Sequence, residues 1–429
     1  MKRFTLRAGN YNNTSNAGPK YSNANNRRSN GNAFGLVFIE SQFPIAHGLQ
    51  VRAINKKSLT PVSPEANNTR CVRPVGFARP PYCTTFFMKT YNNIWDEIIS
   101  FENIYSAYRR AAKCKYYRPE VLEFSANLEE NLYQIQNELI WSKYIPSPPR
   151  QFYIYEPKKR LITAPAFRDR VVHHAICAVI EPIIDRRFIY DSYACRTGKG
   201  TIAAVKRLQT FARRAKSEYG EYYVFKGDIK SFFPSIQHSI LKRIIRRVIS
   251  DVRLLKILDV FIDSAGCVGL PIGALLSQLL ANLVLDALDH FVKEDNHYKY
   301  YLRYMDDFVI FTRSASEARK AGEKVTTFVA NVLGLAMNPK SGVIKGTCGI
   351  KFCGFRVWPT YILPAKPAFK RAIRRLKKMA RQYNEGKIPL ERARSSLMAF
   401  IGHYKHCNAN RSIESALGRI IFTGEGEKK

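Results

Sequence analysis

From Ile94 onward, apolar residues recur at helical spacing. Ile98, Ile99, Phe101, Ile104 and Tyr105 predict one helix, and the stretch from Leu122 to Trp141 predicts another. Pro146-Ser-Pro-Pro149 stops that region, because proline removes backbone donors and disfavours helix at the residue before it. Phe152–Tyr155 and Leu161–Thr163 predict two strands, joined through the basic run Lys158-Lys159-Arg160. Val171 to Ile184 predicts a buried helix. Tyr222–Phe225 is β-branched and aromatic and predicts a strand ending at Asp228. A helix follows, with Ile240, Ile244, Ile245 and Val248 on one face. Leu275 to Leu288 predicts a long apolar helix. Tyr300 to Phe311 is apolar on both sides of two carboxylates and predicts a β-hairpin. Near the end, Phe369, Ile373, Leu376 and Ala380 share one helical face while Lys370, Arg374, Lys377, Lys378 and Arg381 crowd the rest. That is an amphipathic helix with a cationic outer surface, suited to tracking phosphates.

Residues 1 to about 85 break the pattern. Asn10, Asn12, Asn13, Asn16, Asn23, Asn25, Asn26, Asn30 and Asn32 crowd one stretch with Gly, Ser and Ala, and the only acids are Glu40 and Glu65. An extended or loosely ordered arm is expected. The chain of 429 residues is 46% hydrophobic, which suits two to three domains with a sizeable core. Its net charge of +35 points to a polyanionic partner. No apolar run reaches the roughly 18 residues of a membrane span, and the start lacks a secretory apolar stretch. A cytoplasmic protein without a membrane partner is expected. Nine cysteines without a CxxC pair argue against a zinc site and fit a reducing compartment.

The chemistry lies in the carboxylates. Asp306 and Asp307, in Tyr304-Met305-Asp306-Asp307, sit between strand-like sequences, where adjacent charges cost solvation unless a cation offsets them. Asp228, in Lys226-Gly-Asp-Ile-Lys-Ser-Phe-Phe-Pro-Ser-Ile236, is a third acid at a strand end. Three carboxylates from two strands can hold two ions about 3.5–4 Å apart, one acting on a 3′-hydroxyl and the other on a leaving pyrophosphate. Magnesium suits such a site, since it takes hard oxygen ligands and needs few carboxylates beside substrate phosphates.

These motifs resemble those of the reverse transcriptases, over roughly residues 95 to 420. The resemblance implies an α+β right-hand polymerase: N-terminal helices and fingers at 86–220, a palm of antiparallel sheet plus helices at 221–358 with a fingers–palm helix at 270–290, and a short basic helical thumb and tail at 359–429. It implies that Asp228, Ile229, Asp306 and Asp307 hold two Mg²⁺ ions, with Mn²⁺ able to substitute, Asp307 being the less direct ligand. Phe233 falls where the family carries a steric gate against a 2′-hydroxyl, although Phe232 beside it offers a second ring. Lys158 and Arg160 are expected to meet the triphosphate, with Lys159, Arg168 and Arg170 as further candidates. Lys340 falls where a palm lysine could protonate pyrophosphate. Ile350–Phe355 resembles a primer-grip hairpin, and the basic helix from Lys366 to Arg381 would be the thumb.

One departure narrows the family. Where most reverse transcriptases carry Gln-Gly-x-x-x-Ser-Pro, this chain has Ile272-Gly273-Ala-Leu-Leu-Ser277-Gln278. That form resembles reverse transcriptases of diversity-generating retroelements, with Ile272, Gly273 and Gln278 over the incoming nucleotide. An apolar side chain in place of the Gln amide removes hydrogen-bonding capacity there, and the resemblance implies error-prone copying at template adenines. The Asn-rich arm resembles the lectin-type variable cassettes of such elements, so residues 1 to about 75 are read as a translated template repeat. Implied partners are the template RNA, its cDNA, dNTPs and a small basic pentameric accessory protein in a bacterial, phage or archaeal cell. The alternatives are a retron or group II intron type reverse transcriptase, and a non-catalytic RNA-binding protein on a polymerase scaffold.

Overall fold

Four helices open the described chain: α1 (Trp95–Ile98), α2 (Phe101–Ala112), α3 (Pro119–Ala126) and α4 (Leu128–Ile140). The protein is seen here as a computed structural model that describes residues 90–155 and 158–422. The Asn-rich arm and its reading as a template repeat lie outside those residues. The one helix expected over 122–141 is two. Asn127 leaves the helical region (φ −121°, ψ 54°), and the Asn131 amide donates to the Phe124 carbonyl at 3.0 Å. Strands β1 (Arg150–Ile154) and β2 (Arg160–Ala164) form a two-stranded hairpin, followed by α5 (Phe167–Asp185) and α6 (Thr201–Tyr219).

The palm follows. Strand β3 (Tyr223–Asp228) leads into α7 (Phe232–Ser235), α8 (His238–Arg246), α9 (Val252–Asp263) and α10 (Leu275–His290). Strands β4 (Tyr301–Tyr304) and β5 (Asp307–Thr312) form the expected hairpin, then α11 (Ala315–Leu333) and β6 (Gly342–Lys345). The sheet order is β4-β5-β3-β6, antiparallel throughout. Both faces are covered. Phe225, Tyr301, Phe308 and Ile310 enter one core with α5, α10 and α11. Val224, Leu302, Val309 and Phe311 enter a second with α6 and the following hairpins. That explains why these strands read as continuous apolar runs rather than alternating ones. Helix α10 with the turn after it, Leu275–Asp295, is long and apolar enough to cross a membrane by composition, but it is 78% buried inside the protein.

The chain ends with a three-stranded sheet, β7 (Ile350–Phe352), β8 (Phe355–Val357) and β9 (Ile362–Pro364), and with α12 (Lys366–Asn384), α13 (Leu390–Tyr404) and α14 (Asn410–Leu417). Helix α12 packs Phe369, Ile373, Leu376 and Ala380 inward and leaves its cations outside. The expected α+β architecture of palm, fingers and helical thumb is the one adopted. The described cysteines are free thiols.

One buried carboxylate fastens the N-terminal helices to the palm. Asp251 accepts from the Ile94 and Trp95 amides at 3.1 Å each, and from the Arg253 and Leu254 amides at 3.1 and 3.3 Å. It therefore caps α1 and α9 together, satisfying donors that helix starts leave over. Asp251→Ala is expected to cost about 1–3 kcal/mol, read as a lower urea midpoint. An unchanged midpoint would show that the two helix starts do not depend on this side chain.

Candidate active site

Strand register brings the acids together. Asp228 lies directly across from Asp307, and Tyr304 pairs with Asp307 on the other side. Directly opposed residues hold their Cβ atoms about 4.5–5.5 Å apart, so two carboxylates more than seventy positions apart in sequence share one spot. Met305 and Asp306 are the two loop residues of the β4–β5 turn. Met305 has φ 55° and Asp306 does not share that left-handed value. This is the φ pattern of a type II′ turn, which glycine usually opens. A methionine there stores local strain, as functional turns often do. Met305 packs on the first core and Tyr304 on the second.

The electrostatics agree with a cation site. Burial raises the Asp306 carboxyl above its ordinary range, the Asp228 charge adds to this, and Arg160 and Lys158 oppose it. Burial pushes Asp307 up to about 6, against the pull of Lys226. Lys226 Nζ donates to both Asp307 oxygens at 2.7 and 2.8 Å. Asp228 instead accepts from the Asn338 amide at 2.6 Å, and its backbone is tied to Ser341 and Asn338. Ile229 bridges to Met337 through its neighbours' hydrogen bonds, Lys230 to Ala336 and Asn338 to Asp228. Its own carbonyl therefore turns to the opposite edge, the side of the 305–306 turn. Among the described residues, no three His, Cys, Asp or Glu side chains converge on one point as they stand, because Asp307 faces Lys226. The donor set of Asp228, Asp306 and the Ile229 carbonyl nevertheless consists of hard oxygens, two of them mutually repelling anions, which fits magnesium.

Two supports were not legible as functional in the sequence. Gly227 lies against the Phe308 ring, where an added Cβ would fall 2.1 Å from the ring's Cζ. Arg303 is fully buried, and so is Asp289 on α10, which it meets through Nε at 2.7 Å and Nη2 at 2.6 Å. Arg303 also donates to the Asn282 side chain at 3.0 Å, to Ser192 at 3.1 Å and to the Met305 carbonyl at 3.2 Å. Tyr301 adds a hydrogen bond to Asp289 at 2.7 Å. The strained turn thus hangs from α10 by a buried ion pair. The available signal was an arginine inside an apolar strand, a placement that requires a partner.

The remaining candidates divide. Lys158 and Arg160 lie near enough to act on the Asp306 charge. Ile272 accepts from the Thr163 amide at 3.0 Å, so the 271–274 loop docks on β2. Gly273 has φ 121°, and a Cβ there would press on Ile162 at 3.1 Å. Only glycine suits both demands. Gln278 accepts from the Cys195 thiol at 3.4 Å. Phe232 is buried core, whereas Phe233 is half-buried, its ring 5.5 Å from that of Phe232. Lys340 is exposed on the turn that holds Asp228, its amide bonded to Asn338 at 3.1 Å. Arg170 is not brought to the site. It pairs with Glu120 at 2.6 Å and stacks on Phe167, because α5 packs this part of its surface on α3. Arg168 likewise pairs with Glu138 and covers Tyr144.

Residues 149–357 match the family described as reverse transcriptase (RNA-dependent DNA polymerase). Protein YkfC of Escherichia coli (strain K12) is 31% identical over 180 residues, covering 39% of this chain and 47% of its own length. The group II intron-encoded protein LtrA of Lactococcus lactis subsp. cremoris is 30% identical over 210 residues, 45% of this chain and 33% of its own. The chain thus spans less than half the length of these curated relatives. Apo telomerase from Candida tropicalis superposes with a TM-score of 0.42 at 13% identity, over 64% of this chain and 60% of that one.

Proposed function

We propose, from the premise that residues 149–357 are a reverse transcriptase domain related to group II intron-encoded proteins, that this chain copies RNA into DNA for a diversity-generating retroelement, with errors concentrated at template adenines. The observation that carries the polymerase reading is the pairing of Asp228 across from Asp307, beside a turn tipped by Asp306. Two magnesium ions on Asp228, Asp306 and the Ile229 carbonyl, with Mn²⁺ able to substitute, would supply charge for the attacking 3′-oxygen and the leaving pyrophosphate. Lys226 keeps Asp307 oriented beside them. Lys158 and Arg160 orient the triphosphate, Phe233 excludes a 2′-hydroxyl by overlap, and Lys340 holds a proton for the pyrophosphate. The partners of this reading are template RNA, cDNA, dNTPs and a small basic pentameric accessory protein, in the cytoplasm of a bacterial, phage or archaeal host.

The finer reading is supported by Ile272-Gly273-Ala-Leu-Leu-Ser277-Gln278, whose loop docks on β2. An apolar Ile272 leaves the clamp poorer in hydrogen bonds. Ile272→Gln is expected to lower misincorporation at adenines by about 2–10-fold, the worth of one net hydrogen bond. The test extends a primer on a defined RNA with dNTPs and sequences the product. No extension would refute the polymerase reading. Errors spread evenly over the four template bases would favour a second reading, a group II intron type enzyme, which the identity to LtrA supports.

A further inference from the structure

The carboxylates of the cleft are met by cations of two kinds. Lys158 and Arg160 act on Asp306 from exposed positions on the β1–β2 hairpin. Lys226 is built in differently. In the strand register it lies across from Val309, so Asp307 is its diagonal neighbour on the same face of the sheet. Diagonal neighbours stand about 7–8 Å apart, within reach of a long side chain, and Lys226 Nζ donates to both Asp307 oxygens. Val224 and Val309, on that face, enter the second core. The Phe352 ring centroid is 5.7 Å from Lys226 Nζ, and Cys353, in the turn between β7 and β8, feels the charges of both Lys226 and Asp307. Lys226 is thus half-buried and walled by the β7–β8 hairpin.

The difference matters when charge enters the cleft. Exposed cations on a hairpin turn can swing to an arriving triphosphate, whereas the walled lysine stays on Asp307. Both Asp307 oxygens are spent on an ammonium, so Asp228 and Asp306 are the carboxylates left for a divalent cation. That cation would also meet the positive charge of Lys226 at short range, where repulsion in a partly buried site is strong. A triphosphate reverses the balance. It brings several negative charges, and its oxygens are the hard ligands that magnesium takes in place of a further carboxylate.

We propose that Lys226 is a positioning residue that holds Asp307 out of the metal ligand set, so that divalent cation binding waits for the nucleotide. The inference rests on the polymerase reading, and its test separates the two. Mn²⁺ binding to the full chain, without nucleotide or nucleic acid, is followed by the paramagnetic resonance signal of the free ion. Wild type, Lys226→Met, Lys226→Gln and Lys226→Arg are each measured with and without Asp306→Ala, which marks the binding that belongs to the cleft. Lys226→Met and Lys226→Gln remove the charge and keep most of the length. Both are expected to tighten the Asp306-dependent binding about tenfold or more. Lys226→Arg keeps charge and donors and should bind Mn²⁺ as weakly as wild type, a division that a merely structural lysine would not produce. In primer extension, the Mg²⁺ concentration for half-maximal rate should fall as dNTP rises in wild type. It should hardly depend on dNTP in Lys226→Met, because the coupling between the two ligands is lost. Unchanged or weaker Mn²⁺ binding in both neutral variants overturns the proposal, as does an equal dNTP dependence of the Mg²⁺ requirement. The Mn²⁺ arm needs no catalysis, so it decides the role of Lys226 even if no primer is extended, a result that would count against the polymerase reading instead.

Discussion

Asp306→Ala should lower primer extension by about 10³-fold or more, since bound metal supplies several kcal/mol of charge stabilisation and each 1.36 kcal/mol is tenfold in rate. The fold should not suffer. Burial and the Asp228 charge both disfavour an ionised Asp306, so removing it relieves repulsion in the metal-free protein. Single-turnover extension together with thermal unfolding reads both effects. Loss of activity with an unchanged or raised melting temperature is the expected pair, as at sites where function is held against stability. An alanine variant within tenfold of wild type would remove Asp306 from the chemistry. Asp228→Asn should behave similarly, because the Asn338 amide remains beside it but one negative charge is gone.

Arg303→Met should be the most damaging change to stability. It strands the Asp289 carboxylate in the core, and breaking a buried pair costs about 3–5 kcal/mol. It also frees the Met305 carbonyl, so the turn bearing Asp306 loses its tie to α10. Urea denaturation of Arg303→Met, Asp289→Leu and the double variant forms a cycle. The double variant should be markedly less destabilised than the sum of the two singles, because two apolar residues leave no orphaned charge. Additive costs would show that the pair acts through something other than mutual neutralisation. Extension by the double variant should remain depressed even where stability recovers, which separates the turn's suspension from bulk folding.

Much of this was legible from periodicity. Apolar runs around Tyr222 and on both sides of Asp306 marked a strand and a hairpin, and the acids fell at strand ends where register could join them. The fingers hairpin was found within two residues, since its Pro-rich approach and basic turn are local signals. Less was legible where partners lie far apart in the chain. Asp289 lies 14 and Ser192 111 positions from Arg303. Nothing local distinguishes Arg170, held by Glu120, from Arg160, which acts on Asp306. Which cation meets a helix and which meets the cleft depends on how α3 packs on α5. The Asn127 break was missed because the apolar spacing runs on through it, while backbone geometry changes for one residue only.

The contact between Gly227 and Phe308 bears on how such an enzyme could be retuned. Any change that shifts the Asp228 backbone must pass through the residue before it. There the absence of a side chain is filled by a ring from the neighbouring strand. Exchanges at 227 are closed while the Phe308 ring stands there and open once it is trimmed, so the two positions are epistatic and the order of change decides which paths exist.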